Sequence, residues 1–141
     1  MSVREGYMRI EISWPSHKLM PNRAIGRSWT GTYDLRQQYK AEAYTLARQA
    51  LTPGCCPSDA CYLVEITFHA PDRRPRDLDS LFSALKSALD GVADALGVND
   101  VRFAKYVLAR GEPIKGGRVV IEVTKLPECD AEQSHEILAV S

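Results

Sequence analysis

The residues Arg76-Asp77-Leu78-Asp79 put two carboxylates one residue apart, directly behind the guanidinium groups of Arg73, Arg74 and Arg76. Leu78, Leu81, Phe82, Leu85, Leu89 and Val92 then recur at helical spacing, so the acidic pair stands at the mouth of an amphipathic helix. Asp79, Ser83, Lys86 and Asp90 fall at offsets of 0, 4, 7 and 11 and form one polar stripe beside the apolar face. Carboxylate oxygens so placed suit a hard cation such as Mg2+, and the arginines suit phosphate. Together they suit phosphodiester hydrolysis, in which a bound cation lowers the pKa of an attacking water and neutralises charge on the phosphate. Spacing alone leaves a simpler role open. Asp77 as an N-cap and Asp79 as a first-turn acid would each stabilise a helix by about 1 kcal/mol or less without chemistry. The arginines could likewise be mere partners for these acids and for Asp72. An EF-hand fits poorly, because a loop starting at Asp77 has Phe82 where glycine is needed and Ala88 where glutamate is needed.

The elements that must position this pair are legible as periodicities. Met8, Ile10, Ile12 and Trp14 alternate with Arg9, Glu11 and Ser13, which predicts a half-buried strand ended by Pro15. Residues 16 to 31 are polar and basic and read as a loop. Thr32 or Asp34 is a candidate cap for a first helix with Leu35, Tyr39, Ala43, Leu46 and Ala50 on one face and Arg36, Lys40 and Arg48 on the other. Pro53-Gly54 stops it, and a strand over 61 to 69 follows, with Tyr62, Val64, Ile66 and Phe68 alternating against Glu65 and Thr67. The second helix starts near Leu78 and ends at Gly91 or Gly97. Strands at about 101 to 109 and 118 to 124, joined by the glycine-rich stretch 111 to 117, are expected to pair as an antiparallel hairpin. The order β-α-β-α-β-β predicts a single α+β domain over residues 1–127, with a mixed sheet and two main helices. Residues 128–141 are expected to be a loosely held acidic tail.

Composition sets the outer bounds. A chain of 141 residues closes one core, and 45% hydrophobic with 26% charged residues is ordinary for a soluble domain. No apolar run approaches the ~18 residues of a membrane span, and the first residues lack a signal peptide's apolar core, so a cytoplasmic protein with no membrane partner is expected. The formal charge is zero, which at first sight argues against nucleic acid. However, Glu128, Asp130, Glu132 and Glu136 lie at the end with no base among them, leaving 18 bases against 14 acids in residues 1 to 126. Between Lys18 and Arg48 there are six bases and two acids, enough for a positive surface or simply a solvated face. Cys55, Cys56, Cys61 and Cys129 lack the paired knuckles that fold around zinc, and reduced bystander thiols suit a cytosolic chain better. His17, His69 and His135 show no metal-ligand spacing.

The run 72 to 81, Asp-Arg-Arg-Pro-Arg-Asp-Leu-Asp-Ser-Leu, followed by Ala88-Leu89-Asp90-Gly91-Val92 and then Asn99-Asp100, resembles the RusA family of Holliday junction resolvases, which are phage-borne. The strand ending in Trp14-Pro15, the Leu19-x-Pro21-Asn22 turn, the basic first helix and Lys115-Gly116-Gly117-Arg118 also fit that pattern. The resemblance implies an intimate homodimer that makes paired symmetric nicks across a four-way DNA junction, an activity of DNA recombination and repair. It implies Mg2+ as cofactor, with Mn2+ as a possible substitute, and no organic cofactor. Carried over by motif position, Asp77, Asp79 and Asp100 would be the metal-binding acids.

Two positions depart from the family: Ser80 stands where it usually has asparagine, and Ser83 where it has a lysine regarded as catalytic. Lys86, one turn further along the stripe, is the candidate substitute. Arg23, Arg27, Arg36, Arg73, Arg74, Arg76, Lys115 and Arg118 are the expected DNA contacts. The alternative is a branched-DNA-binding protein of the same fold that has weak activity or none. A helix running from 78 to about 96 would be roughly 28 Å long and would carry Asp100 away from Asp77 and Asp79. Either that helix stops near Gly91 and the chain doubles back, or a partner subunit supplies Asp100.

Overall fold

The computed structural model describes residues 7–16, 19, 29–51, 60–126 and 136–140. Strand β1 (Tyr7–Ile12) is followed by helix α1 (Trp29–Ala50), β2 (Tyr62–His69), helix α2 (Leu78–Leu96), a single 3-10 turn (Asp100–Arg102), β3 (Phe103–Arg110), β4 (Arg118–Lys125) and β5 (Glu136–Val140). The architecture is α+β, as the alternation of strand and helix periods predicts: one mixed sheet with two helices. Helix α1 begins ahead of the expected caps, so Thr32 and Asp34 lie inside it, and Ala47 rather than Ala50 completes its buried stripe. The remainder of the expected loop, residues 17, 18 and 20–28, lies outside the described residues.

The sheet order is β1-β4-β2-β3-β5. Register aligns rows of apolar side chains across it: Ile10 faces Ile121, Ile121 faces Ile66 and Ile66 faces Leu108, with Met8, Val123, Val64 and Tyr106 forming the next row. All eight are buried, and they join Tyr39, Ala43 and Ala47 of α1 and Leu81, Leu85, Ala88, Leu89 and Val92 of α2 in one core. Burying period-2 positions from strands against period-3.6 positions from helices leaves the opposite sheet face to Arg9, Glu11, Glu65 and Glu122.

Two expectations about the sheet are corrected. β3 and β4 do not form a hairpin. β2 lies between them, pairing parallel with β3 and antiparallel with β4, so residues 111–117 arch over its end. The arch is tied down by Gly111 N–H donating to the Phe68 carbonyl at 2.9 Å and Ile114 N–H donating to the Ala70 carbonyl at 2.9 Å. A glycine-rich link between two strands looks the same in sequence whether it turns tightly or clears a strand roughly 5 Å wide. Nor is the whole C-terminal stretch a loose tail: residues 136–140 form β5, paired parallel with β3 from Lys105↔Glu136 to Ala109↔Val140. The acidic residues ahead of it mask a short run, Glu-Ile-Leu-Ala-Val, in which Ile137 and Val140 favour a strand.

β2, α2 and β3 form a crossover between parallel strands, which fixes the layout of the site. The start of α2 lies at the end of β2, and the residues that follow α2 lie at the start of β3, at the opposite edge. α2 is not interrupted at Gly91. Its bare α-carbon is where α1 comes closest, and a Cβ there would run into the Lys40 carbonyl. The helix ends at Gly97, whose φ of 71° and ψ of 27° are left-handed; its N–H donates to the Asp94 carbonyl, and Val98 N–H donates to the Ala93 carbonyl, both at 3.1 Å. Among the described residues no helix is long and apolar enough to cross a membrane. Cys61, 1% exposed at the head of β2, is disulfide-bonded, which corrects the expectation of a reduced thiol there. Cys55, Cys56 and Cys129 lie outside the described residues.

Candidate active site

The mouth of α2 is built by the turn 70–77, and that turn is built by one carboxylate. Asp72 accepts the backbone N–H of Arg74 at 2.9 Å and the Arg74 Nε at 3.2 Å, and pairs with Arg76 at 2.9 Å and with Arg74 Nη2 at 3.1 Å. The Arg74 backbone N–H above all, then the two guanidinium groups, hold the Asp72 carboxyl below the usual aspartate range. Arg76 is the most enclosed of the three arginines. It also donates to the Asp72 and Arg74 carbonyls, and its guanidinium carbon lies 5.6 Å from the centre of the Trp14 ring. Arg110, at the end of β3, donates to the Arg76 carbonyl at 3.0 Å.

Trp14 is fixed from several sides. It meets Phe68 edge to face at 6.2 Å. Gly117, at a φ of 75° that favours glycine, leaves room for it: a Cβ at 117 would lie 2.7 Å from the Trp14 Cβ. The preceding residue is clamped to α1, since Ser13 N–H and Oγ both donate to Glu42 at 2.7 Å and the Tyr39 hydroxyl donates to the Ser13 carbonyl at 2.8 Å.

Asp77 occupies the N-cap position of α2, in extended conformation with φ −78° and ψ 134°, but its side chain makes no capping hydrogen bond. Its backbone carbonyl accepts the Leu81 N–H at 3.1 Å, so the helix is closed by backbone alone. Asp79 is exposed in the first turn, and neither carboxylate has a hydrogen bond or ion pair among the described residues. The simpler role for Asp77, a side-chain cap, is therefore not the one it adopts. The predicted stripe is observed: Asp79, Ser83, Lys86 and Asp90 are all exposed.

Asp100 is elsewhere. It opens the 3-10 turn after α2, and the N-cap there is Asn99, whose side chain accepts Val101 N–H at 3.0 Å. Asp100 lies near Asp90 and Tyr106: its charge helps to push both of their pKa values upward, although burial is the larger cause for each. Asp90, beside which Asp100 lies, is eleven residues along the unbroken α2 from Asp79, about 16 Å at ~1.5 Å per residue. Among the described residues no three metal-ligating side chains converge. Of the two alternatives left open, the one in which the helix stops near Gly91 and the chain doubles back is overturned, since the helix runs on to Leu96. Lys86 lies about 10 Å along the axis from Asp79, and its charge acts on Asp90, one turn beyond it.

The expected DNA contacts divide three ways. Arg73, Arg74 and Arg76 share an end of the sheet with Lys115 in the arch and Arg118 at the start of β4, where Arg118 pairs with Glu11 at 3.5 Å. Arg36 is half-buried on α1. Arg23 and Arg27 lie outside the described residues. Lys40 is committed to the far end of α2, pairing with Asp94 at 3.2 Å. Trp14 belongs to the site through the Trp14-Pro15 strand end, whereas Arg110 belongs to it and carries no motif. The only local cue to Arg110 is a base at the end of an otherwise apolar strand, and its place beside Phe68 depends on the β2–β3 register.

Two uncommitted carboxylates beside exposed guanidinium groups suit Mg2+, which keeps several waters and takes one or two carboxylates together with substrate phosphate. Asp77 and Asp79 fit such an ion, and Asp100 of the same chain does not reach it.

No family model matches the chain. An uncharacterized protein of Xylella fastidiosa (strain Temecula1 / ATCC 700964) is 32% identical over 120 residues, covering 84% of this chain and 77% of that protein.

Proposed function

The chain belongs to the same family as that uncharacterized protein, and we propose that it is a structure-specific endodeoxyribonuclease that resolves four-way DNA junctions by paired nicks with Mg2+ as cofactor. One observation carries the reading: Asp77 stands at a helix N-cap yet caps nothing, which leaves two adjacent free carboxylates next to three arginines. The likeness of residues 72 to 100 to the RusA pattern supplies the substrate class. A bound Mg2+, for which Mn2+ could substitute, would supply an acidified water and charge neutralisation at phosphorus. The chain's own residues do the rest. Asp77 and Asp79 would hold the cation, Arg73 and Arg74 bind the strand's backbone phosphate beside it, and Asp72 orients Arg74 and Arg76. Lys86 stabilises the leaving oxygen if its side chain swings towards the mouth. Lys115, Arg118, Arg36, Arg23 and Arg27 contact the arms.

The third acid comes from a second copy of the chain. The continuous α2 favours this, because a twofold dimer can set the far end of one helix against the mouth of another. Incubating a labelled four-way junction and a matching linear duplex with the protein, with and without Mg2+, tests the activity. Paired nicks in the junction alone, and only with the metal, are expected; an uncut junction sinks the reading. Sharing is tested by mixing Asp79→Asn with Asp100→Asn subunits. Nicking restored by the mixture is expected, and two inactive variants that stay inactive together would exclude it.

The second reading, a branched-DNA-binding protein with no cleavage, is favoured by the distance between Asp79 and Asp100 and by Ser83 in the lysine position. Junction binding in EDTA without nicking in Mg2+ or Mn2+ selects it.

A further inference from the structure

Beside the mouth, a cavity of about 220 Å3 is not used by the carboxylates. Its apolar walls include Trp14, Phe68 and Leu81, and its rim carries Arg73, Arg74, Arg76 and Arg110 with Asp72 as the one acid. Four guanidinium groups against one carboxylate leave the rim strongly cationic. Arg76 is tied to Asp72, two carbonyls and the Trp14 ring, so it serves as wall. Arg73 has no hydrogen bond or ion pair among the described residues, and Arg74 is 82% exposed despite its pairing with Asp72. A hydrophobic slot beneath a cationic rim complements a flat, weakly polar body joined to an anion, which is the chemistry of a nucleotide. Size narrows this further. The volume equals about seven waters at ~30 Å3 each and falls below the ~300 Å3 at which drug-sized pockets begin. A space of this size suits a single base.

We propose that this cavity receives a single unpaired base of the bound strand, with the phosphate on Arg73, Arg74 and Arg110, and so selects the nucleotide that stands beside the cut. The second half of this statement rests on the nuclease reading above; the base-binding half does not. The chain runs directly from the rim at Arg76 to Asp77, so a strand anchored in the cavity leads its next phosphodiester to the carboxylates. A base must leave its stack to enter, at a cost of a few kcal/mol that is smallest where pairing is already broken, as at a branch point.

The test is equilibrium binding of the full chain in EDTA to a four-way junction, compared with the same junction carrying one abasic site at each position around the crossover in turn. Loss of affinity of about fivefold to a hundredfold at one symmetric position is expected, the range that stacking of one base provides. Ala70→Leu, which fills the cavity from its lining, should weaken the intact junction similarly and the abasic junction no further. Arg73→Ala should weaken both junctions alike and lower the salt dependence by about one phosphate contact. Equal binding of every abasic junction overturns the inference without requiring any variant to fold, and Mg2+-dependent nicking can survive that result. If no junction is bound, the proposed function fails instead, and the cavity is read with a short oligothymidylate against its abasic counterpart. Preference for the base-bearing strand then supports the inference; equal binding, or none, overturns it.

Discussion

The two ends of α2 carry the same residue type in opposite circumstances. At the N-terminal mouth, Asp77 and Asp79 are free of hydrogen bonds and ion pairs among the described residues, and the surrounding charge is positive. At the far end, Asp94 and Asp100 lie close enough to Asp90 to raise its cost of ionisation. Partial desolvation of the otherwise exposed Asp90 carboxyl chiefly, with the charges of Asp100 and Asp94, pushes it above the usual range against the opposing pull of Lys40 and Lys86. Burial, with the charges of Asp100 and Asp90, pushes the Tyr106 hydroxyl up to about 12. Lys40, arriving from α1, offsets part of this repulsion through its pair with Asp94. Carboxylates at the mouth are available to a ligand, whereas those at the far end are already interacting with each other and with the helix partner.

Substitutions at the two ends should therefore separate chemistry from stability. The largest effect is expected from Asp79→Asn: nicking falls about a hundredfold or more, since metal-assisted charge stabilisation is worth several kcal/mol. Its unfolding free energy should stay within about 0.5 kcal/mol of the parent, because the carboxylate holds nothing in the fold. A thermal or urea melt that drops with activity would mean that Asp79 is structural and erase the contrast between the ends. Next comes Gly91→Ala, towards the far end. Helix propensity favours alanine by about 1 kcal/mol, but a Cβ pressed into the Lys40 carbonyl forces the helices apart at a cost of about 1–3 kcal/mol. A net loss on the order of 1 kcal/mol in urea unfolding is expected; a gain would mean that α1 and α2 are not in close contact there. Gly97→Ala should cost about 1 kcal/mol through its left-handed backbone, without altering junction affinity.

The smallest effect is electrostatic and has a definite sign. Asp90 titrates above its unfolded value, so the folded state binds more protons, and stability falls as pH rises from the ordinary aspartate range through the raised value. Asp90→Asn should thus be more stable than the parent at neutral pH by up to about 0.5 kcal/mol and show no advantage at pH 3. Asp72 behaves oppositely. Its lowered value gives a contribution that is present above the ordinary aspartate range and lost as pH falls through the depressed value. An Asp90→Asn advantage that grew on acidification would contradict this account of the far end.

Much of this was readable from residue order because it depends on neighbours in the chain. The start and apolar face of α2 follow from Leu78, Leu81, Leu85, Leu89 and Val92, its end lay at Gly91 or Gly97 until the structure decided for Gly97, and the strands follow from alternation such as Tyr62, Val64, Ile66 and Phe68. The polar stripe and the Asp-Leu-Asp mouth were legible for the same reason. The false hairpin was equally understandable: Gly116 and Gly117 specify backbone conformations, but nothing in them says that β2 will occupy the place beside β3. β5 was missed because the acids preceding it outweigh, in composition, five residues whose strand character is satisfied only by an edge of the sheet.

The sequence by itself determined where backbone hydrogen bonds could close, which faces were apolar, and which acids and bases sat next to one another. Those are properties of a few residues, set by the periods of helix and strand. Tertiary structure alone decided that Asp100 lies beside Asp90 and away from Asp79, and that the Asp77 side chain caps nothing. It also brought Trp14, Phe68 and Arg110, drawn from three strand ends, to one cationic cavity. These outcomes depend on strand order and on the direction of a crossover, which arise from burying the whole apolar surface at once and leave no local trace in the chain.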